Sequence, residues 1–228
     1  MSLPALNLPV IRQLVAKDWI LFQKQMAAYV TGGIVALCLL GMAKPWSFYL
    51  GSLLLIIVLV AAACFSISTS LLVERKERTL AFVMSLPVTP LDFYLAKLVG
   101  NLVTFLVPFL VMFLGTLAVV AFTPLPDGLI VFATLLFGFI ALAYSLSLSV
   151  AMAVESEGWN TFAMIGSMVL INPFIMMLGQ IPSISEVARG ELVIWSPAAL
   201  LILLVQAVAS VALLAGTGWV HCRKPAFY

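Results

Sequence analysis

Charge is what this sequence has least of. Only 9% of its 228 residues are Asp, Glu, Lys or Arg, against roughly 25% in an ordinary soluble domain. Eleven basic and nine acidic side chains cannot cover a water-soluble globule of this size. That scarcity excludes a water-soluble enzyme and a nucleic-acid binder, and the 64% apolar content excludes a disordered chain. Cysteine is scarce too: Cys38 and Cys64 lie in apolar stretches and Cys222 lies in the tail, so no disulfide framework is expected. The one histidine, His221, stands beside Cys222, and two adjacent ligands do not make a metal site. A net charge of +2 gives no pull towards a polyanion. What remains is an integral membrane protein with a mean hydropathy of +1.22.

The charges are also unevenly placed. No Asp, Glu, Lys, Arg or His occurs in 25–43, 45–73, 98–126, 128–154, 158–185 or 192–220. About 20 apolar residues cross a hydrocarbon core as a helix. Backbone groups in lipid must be satisfied internally, and runs such as Leu53–Ala63 lack the alternation of a membrane β-barrel strand. The sequence therefore predicts an all-α membrane protein of six transmembrane helices, near 26–43, 50–73, 98–122, 129–153, 161–180 and 197–219. The length predicts one transmembrane domain over 1–228.

Six spans put both termini on one side. Arg12, Lys17, Lys24, Arg75, Lys76, Arg78, Lys97, Arg223 and Lys224 share that side, and only Lys44 and Arg189 fall on the other. The positive-inside rule makes the richer side cytoplasmic, with both termini there. Arg12, Lys17 and Asp18 interrupt any signal-peptide core, so span 1 is expected to be retained as the targeting signal.

Residues 7–24 read as an N-terminal amphipathic interfacial helix. Ile11, Leu14, Val15, Trp19 and Phe22 share one arc, and Arg12, Gln13, Lys17, Gln23 and Lys24 the other. Asp18 falls on the apolar side and Ile20 on the polar side. The plainer reading is a basic flank that orients span 1. Gly32 and Gly33 allow close helix approach in span 1. Ala62, Ser66 and Ser70 in span 2, and Ala141, Ser145, Ser149 and Ala153 in span 4, recur every four residues. Such faces pack helices or line a substrate path. Pro108 and Pro173 should kink spans 3 and 5. Asn172, beside Pro173, and Gln206 in span 6 are amides that lipid disfavours. They serve either as interhelical glue or as a translocation lining. Residues 181–196 are too polar to span and too apolar for a free loop, so a short, partly helical outer segment is expected there. Pro197 suits the first turn of span 6.

The largest piece outside the membrane is 74–97. Glu74, Arg75, Lys76, Glu77 and Arg78 are five consecutive charges that must lie outside the core. Leu80, Val83 and Met84 then recur at helical spacing. Leu86, Pro87, Val88, Thr89 and Pro90 form a stiff elbow, and Asp92 is a plausible cap for span 3. An apolar face beside a charge cluster suits docking to a partner protein, or a helix lying on the membrane.

The run Glu74, Arg75, Glu77, Thr79, Leu80, then Ser85–Thr89, then Leu95, Ala96 and Lys97 resembles the span 2–3 region of ABC-2 type transporter permeases. Arg78 stands where that family often has glycine, and Ala81 where it often has an acid. The plan of interfacial helix, six spans and outer segment is similar over nearly the whole chain. The length is also similar to that of the haem-exporter B permeases, with no motif that places the chain inside that group. The resemblance implies the transmembrane subunit of an ATP-driven exporter in a bacterial cytoplasmic (inner) membrane. It implies a dimer with a second copy or a sister permease, with spans 1 and 5 at the interface. It implies that 74–90 is a coupling helix for an ABC ATPase subunit. No G-x-x-x-x-G-K-[ST] run occurs, so ATP and magnesium are expected on a separate ATPase chain, and no cofactor or enzyme activity on this one. The other partner is membrane lipid, with no nucleic acid. The apolar spans suit a hydrophobic or amphipathic substrate. The alternatives are a secondary transporter or channel, or a non-transporting scaffold. Ion-coupled carriers place charge near mid-membrane, and none of the charges here falls there.

Overall fold

The computed structural model describes residues 8–73, 90–154 and 156–223. These are almost entirely helical, with no strand among them. Helix α1 spans Leu8–Gly41 and α2 spans Pro45–Ile67, the latter prolonged by a π-helical turn at Ser68–Val73. Helix α3 spans Pro90–Phe122 and α4 spans Leu129–Ala153. The next crossing is made by two pieces, α5 (Glu157–Val169) and α6 (Ile171–Gln180). A four-residue helix, α7 (Pro182–Ser185), and a 3₁₀ turn at Val187–Arg189 precede α8 (Pro197–Arg223). Among the described residues six helical stretches are long and apolar enough to cross a membrane.

The ends of these crossings differ from the charge-free stretches for a physical reason. Freedom from charge marks the hydrocarbon portion, whereas a helix continues through the interface as long as its backbone bonds are made. So α2 starts at Pro45, before exposed Trp46, and α3 starts at Pro90. Asp92 consequently lies in the first turn of α3 and not at its cap, where a carboxylate still favours the positive end of the helix dipole. Residues 8–24 are helical and run without a break into span 1. At about 1.5 Å per residue the 34-residue α1 is about 51 Å long, well beyond a core of roughly 30 Å.

Helix α1 packs on α2 and α3, α4 on α8 and α5, and the main core lies between α2, α3 and α4. Phe105, Phe109, Phe137 and Tyr144 fill that core. Phe105 and Tyr144 stack at 3.9 Å between ring centroids, and Phe109 meets Phe137 edge-on at 5.5 Å. Small residues set the closest approaches. At Gly51 of α2, an added Cβ would lie 2.8 Å from the Leu40 backbone nitrogen and 2.9 Å from the Ala36 carbonyl oxygen of α1. Gly33 accommodates the buried Met112 side chain, and Gly32 lies against Val58.

The outer segment is anchored at Gly128, the residue before α4. Its N–H donates to the Gly190 carbonyl at 3.1 Å, and the Val187 carbonyl occupies the place of a Cβ. Only glycine fits there. Helix α8 then begins at Pro197, with the Ser196 hydroxyl accepting the Ala199 N–H at 3.2 Å as an N-cap.

Candidate coupling and translocation site

The expected coupling residues Glu74, Arg75, Lys76, Glu77, Arg78, Leu80, Val83, Leu86, Pro87, Val88 and Thr89 lie outside the described residues. What is described is the ground on both sides of that segment. The π-helical turn leads into it and α3 leads out of it. Immediately within the bundle from those two ends sits a connected set of buried polar groups.

Asp18 of α1 opens this set. It lies on the buried stripe Asp18, Phe22, Met26, Gly33, Ala36 and Leu40, and is 3% exposed. Its Oδ2 accepts a hydrogen bond from Lys97 Nζ of α3 at 3.3 Å, and Lys97 is 4% exposed. Lys17 Nζ stands 3.6 Å from Asp18 Oδ1 on the solvent side. The carboxylate fits because Gly100 of α3 has no Cβ: one built there would be 3.1 Å from Oδ2. This explains the misfit on the helical wheel. The apolar arc of Ile11, Leu14, Val15 and Phe22 faces the bundle, Asp18 faces the same way to meet its cation, and Trp19 turns outward.

One turn on, Asn101 is fully buried. Its Nδ2 donates to the Lys97 carbonyl at 2.8 Å and to Ser70 Oγ of α2's π-turn at 3.0 Å. Its own carbonyl accepts the Tyr144 hydroxyl of α4 at 2.8 Å. The Ser66 hydroxyl of α2 lies 3.2 Å from both the carbonyl oxygen and Oδ1 of Asn101 and donates to one at a time. Asn101 therefore ties α2, α3 and α4 together, and the ion pair adds α1. Interhelical hydrogen bonds in bilayers average about 0.6 kcal/mol each, so the set is worth more as a geometric constraint than as raw stability. Sequence reasoning missed Asn101 and Tyr144. Asn101 is the one amide in span 3, which was the available signal.

The other candidates separate. Gly32 and Gly33 face α2 and α3. Gln206 of α8 is 4% exposed, and its Nε2 donates to the Leu135 carbonyl of α4 at 3.1 Å, with Oε1 resting over Gly138. Asn172 and Pro173 are exposed on α6. Around them Phe162, Ile165, Val169 and Met176 also point outward. The helix is interrupted at Leu170, where the missing N–H of Pro173 leaves the Val169 carbonyl without its usual donor. Between α4 and α5, Ser147 and Ser167 share a hydrogen bond of 2.8 Å.

Among the described residues the arrangement holds no group of metal-ligating side chains. It is a helical bundle whose four N-terminal crossings are locked together at one end. Neither the curated proteins nor the solved structures contain a match to the chain. Residues 43–219 match the family described as ABC-2 family transporter protein, from the turn before α2 nearly to the end of α8. The chain thus belongs to the ABC-2 transporter family, as a multi-pass transmembrane subunit that is not itself catalytic.

Proposed function

We propose that residues 1–228 form one permease domain of an ATP-driven exporter, coupled through 74–90 to a separate ABC ATPase subunit that holds ATP and magnesium. The observation that carries this is the buried set around Asn101 and Asp18–Lys97. It lies at the roots of segment 74–89, so a displacement of that segment acts on α2 and α3 directly. Through Tyr144 and Asp18 it then acts on α4 and α1. The energy comes from outside the chain, since no charge lies at mid-membrane to couple an ion gradient. The segment's basic cluster and the positive-inside rule support a cytoplasmic side for 74–89 and both termini, and the reading takes the membrane to be the inner membrane of a bacterial cell.

The permease acts as a dimer, with a second copy or a sister permease. Asn172 supports this. It stands exposed near the middle of the Glu157–Gln180 crossing, makes no hydrogen bond to the described residues, and is surrounded by apolar side chains. An amide in that position prefers a partner helix or a lined path to lipid. The spans suit a hydrophobic or amphipathic substrate.

The test is co-purification with an ABC ATPase encoded beside it, followed by reconstitution. Replacing Leu86–Thr89 with glycine and serine should abolish permease-dependent change in ATP hydrolysis and release the ATPase, while all six crossings still insert. If no ATPase co-purifies and the replacement has no effect, the reading fails.

A further inference from the structure

At the end of the bundle away from segment 74–89, a groove of about 590 Å³ opens between the helices. That volume is within the roughly 300–1,000 Å³ of small-molecule sites. Its lining runs from Phe48 to Ile56 on α2 and from Leu129 to Phe137 on α4. Eight residues along a helix advance about 12 Å, so the groove descends through most of one leaflet of a core roughly 30 Å thick. Leu55, Leu136 and Phe137 line its deep part, with Leu40, Val120 and Ile175 on its sides. Among these described lining residues a single one is charged, Arg189 of the 3₁₀ turn, at the level of the outer segment. No carboxylate among the described residues lies within 4.0 Å of its guanidinium, Glu186 and Glu191 of the same segment included. The Gly128–Gly190 hydrogen bond, next in sequence to Arg189, pins that turn over α4.

We propose that this groove is a binding site for an anionic lipid, with an acyl chain along α2 and α4 and the headgroup on Arg189. An apolar furrow at hydrocarbon depth is filled by hydrocarbon, and an exposed guanidinium at its rim selects a negative headgroup, since planar N–H donors match phosphate oxygens. The proposal rests on membrane insertion alone and takes from the proposed topology only which leaflet the groove faces.

Its test needs no ATPase. Delipidated full chain in detergent is titrated with phosphatidylglycerol or phosphatidylcholine carrying identical chains, and bound lipid is read by native mass spectrometry. Phosphatidylglycerol should be preferred by about five- to tenfold, and Arg189→Gln should remove the preference. Gly179 lines the groove, and a side chain added there meets nothing within 4 Å. Gly179→Phe should therefore fill the furrow without harm to the fold and reduce occupancy by both lipids, and Gly179→Met serves as a milder second variant. Glycerol phosphate, a headgroup without a chain, should not displace the lipid. Equal binding of the two lipids overturns the proposal. So does an unchanged preference in Arg189→Gln, unchanged occupancy in both Gly179 variants, or displacement by glycerol phosphate alone.

Discussion

At the scale of single residues, the Asp18–Lys97 pair is the sharpest feature. Both side chains are about 95% buried, at 4% and 5% residual exposure. Burying one charge without the other costs about 3–5 kcal/mol, whereas an apolar replacement of both is near neutral. Lys97→Ala should therefore lower the melting temperature in detergent markedly. Asp18→Leu combined with Lys97→Met should recover most of that loss. A double variant no better than Lys97→Ala would show that the pair does not act as a unit. The pair was half legible beforehand. Asp18 stood out as the acid on an apolar arc, and Lys97 entered as part of a cytoplasmic basic cluster. Nothing in the one-dimensional pattern joins residues 79 positions apart, because the register of α1 against α3 is set by packing at Gly33 and Met112.

At the scale of elements, the turns and crossings carry the predictions. Ala43, between α1 and α2, has φ of 50° and is the only non-glycine residue with positive φ among the described residues. A left-handed conformation costs an L-residue about 1–2 kcal/mol, so Ala43→Gly should raise stability by about 1 kcal/mol, seen as a higher melting temperature. Lys44 then takes an extended conformation, and the Ser47 hydroxyl bonds both the N–H and the carbonyl of Lys44. The α1–α2 crossing is less tolerant. A methyl at Gly51 meets backbone, which cannot rotate away, whereas one at Gly32 meets a Val58 methyl at 3.3 Å. Gly51→Ala should cost about 1–3 kcal/mol as an overpacked contact, and Gly32→Ala distinctly less. Equal melting temperatures for the two variants would contradict that ranking. Helix existence was legible because charge-free length is enough to infer a crossing. Helix ends were not, since interfacial residues such as Pro45 and Trp46 obey backbone geometry and not hydropathy.

At the scale of the whole molecule, the outward faces bear on assembly. Helix α8 presents Leu200, Leu204, Val208 and Val211, an unbroken apolar face suited to lipid. The α5–α6 crossing presents a face of comparable apolarity that contains Asn172. With Cys38, Cys64 and Cys222 replaced, a single cysteine at Met176 should form an oxidised dimer in membranes if the permease pairs with itself through this face. One at Leu204 should not. Cross-linking at both positions alike would point to random collision. The family was legible in the run from Glu74 to Lys97, yet that run lies largely outside the described residues. The structure contributes the buried polar groups around Asn101 and Asp18–Lys97, which that run does not announce.

The long first helix has a mechanical consequence. Its backbone contact with Gly51 falls at Ala36–Leu40, close to its Gly41 end. The same helix is clamped again at Asp18, which meets Lys97 and lies over Gly100 of α3. The two clamps are about 27 Å apart along the axis. A rod fixed at two such points acts as a strut: it sets the spacing between the two ends of the bundle, and α1 cannot tilt against α2 and α3 unless one clamp lets go.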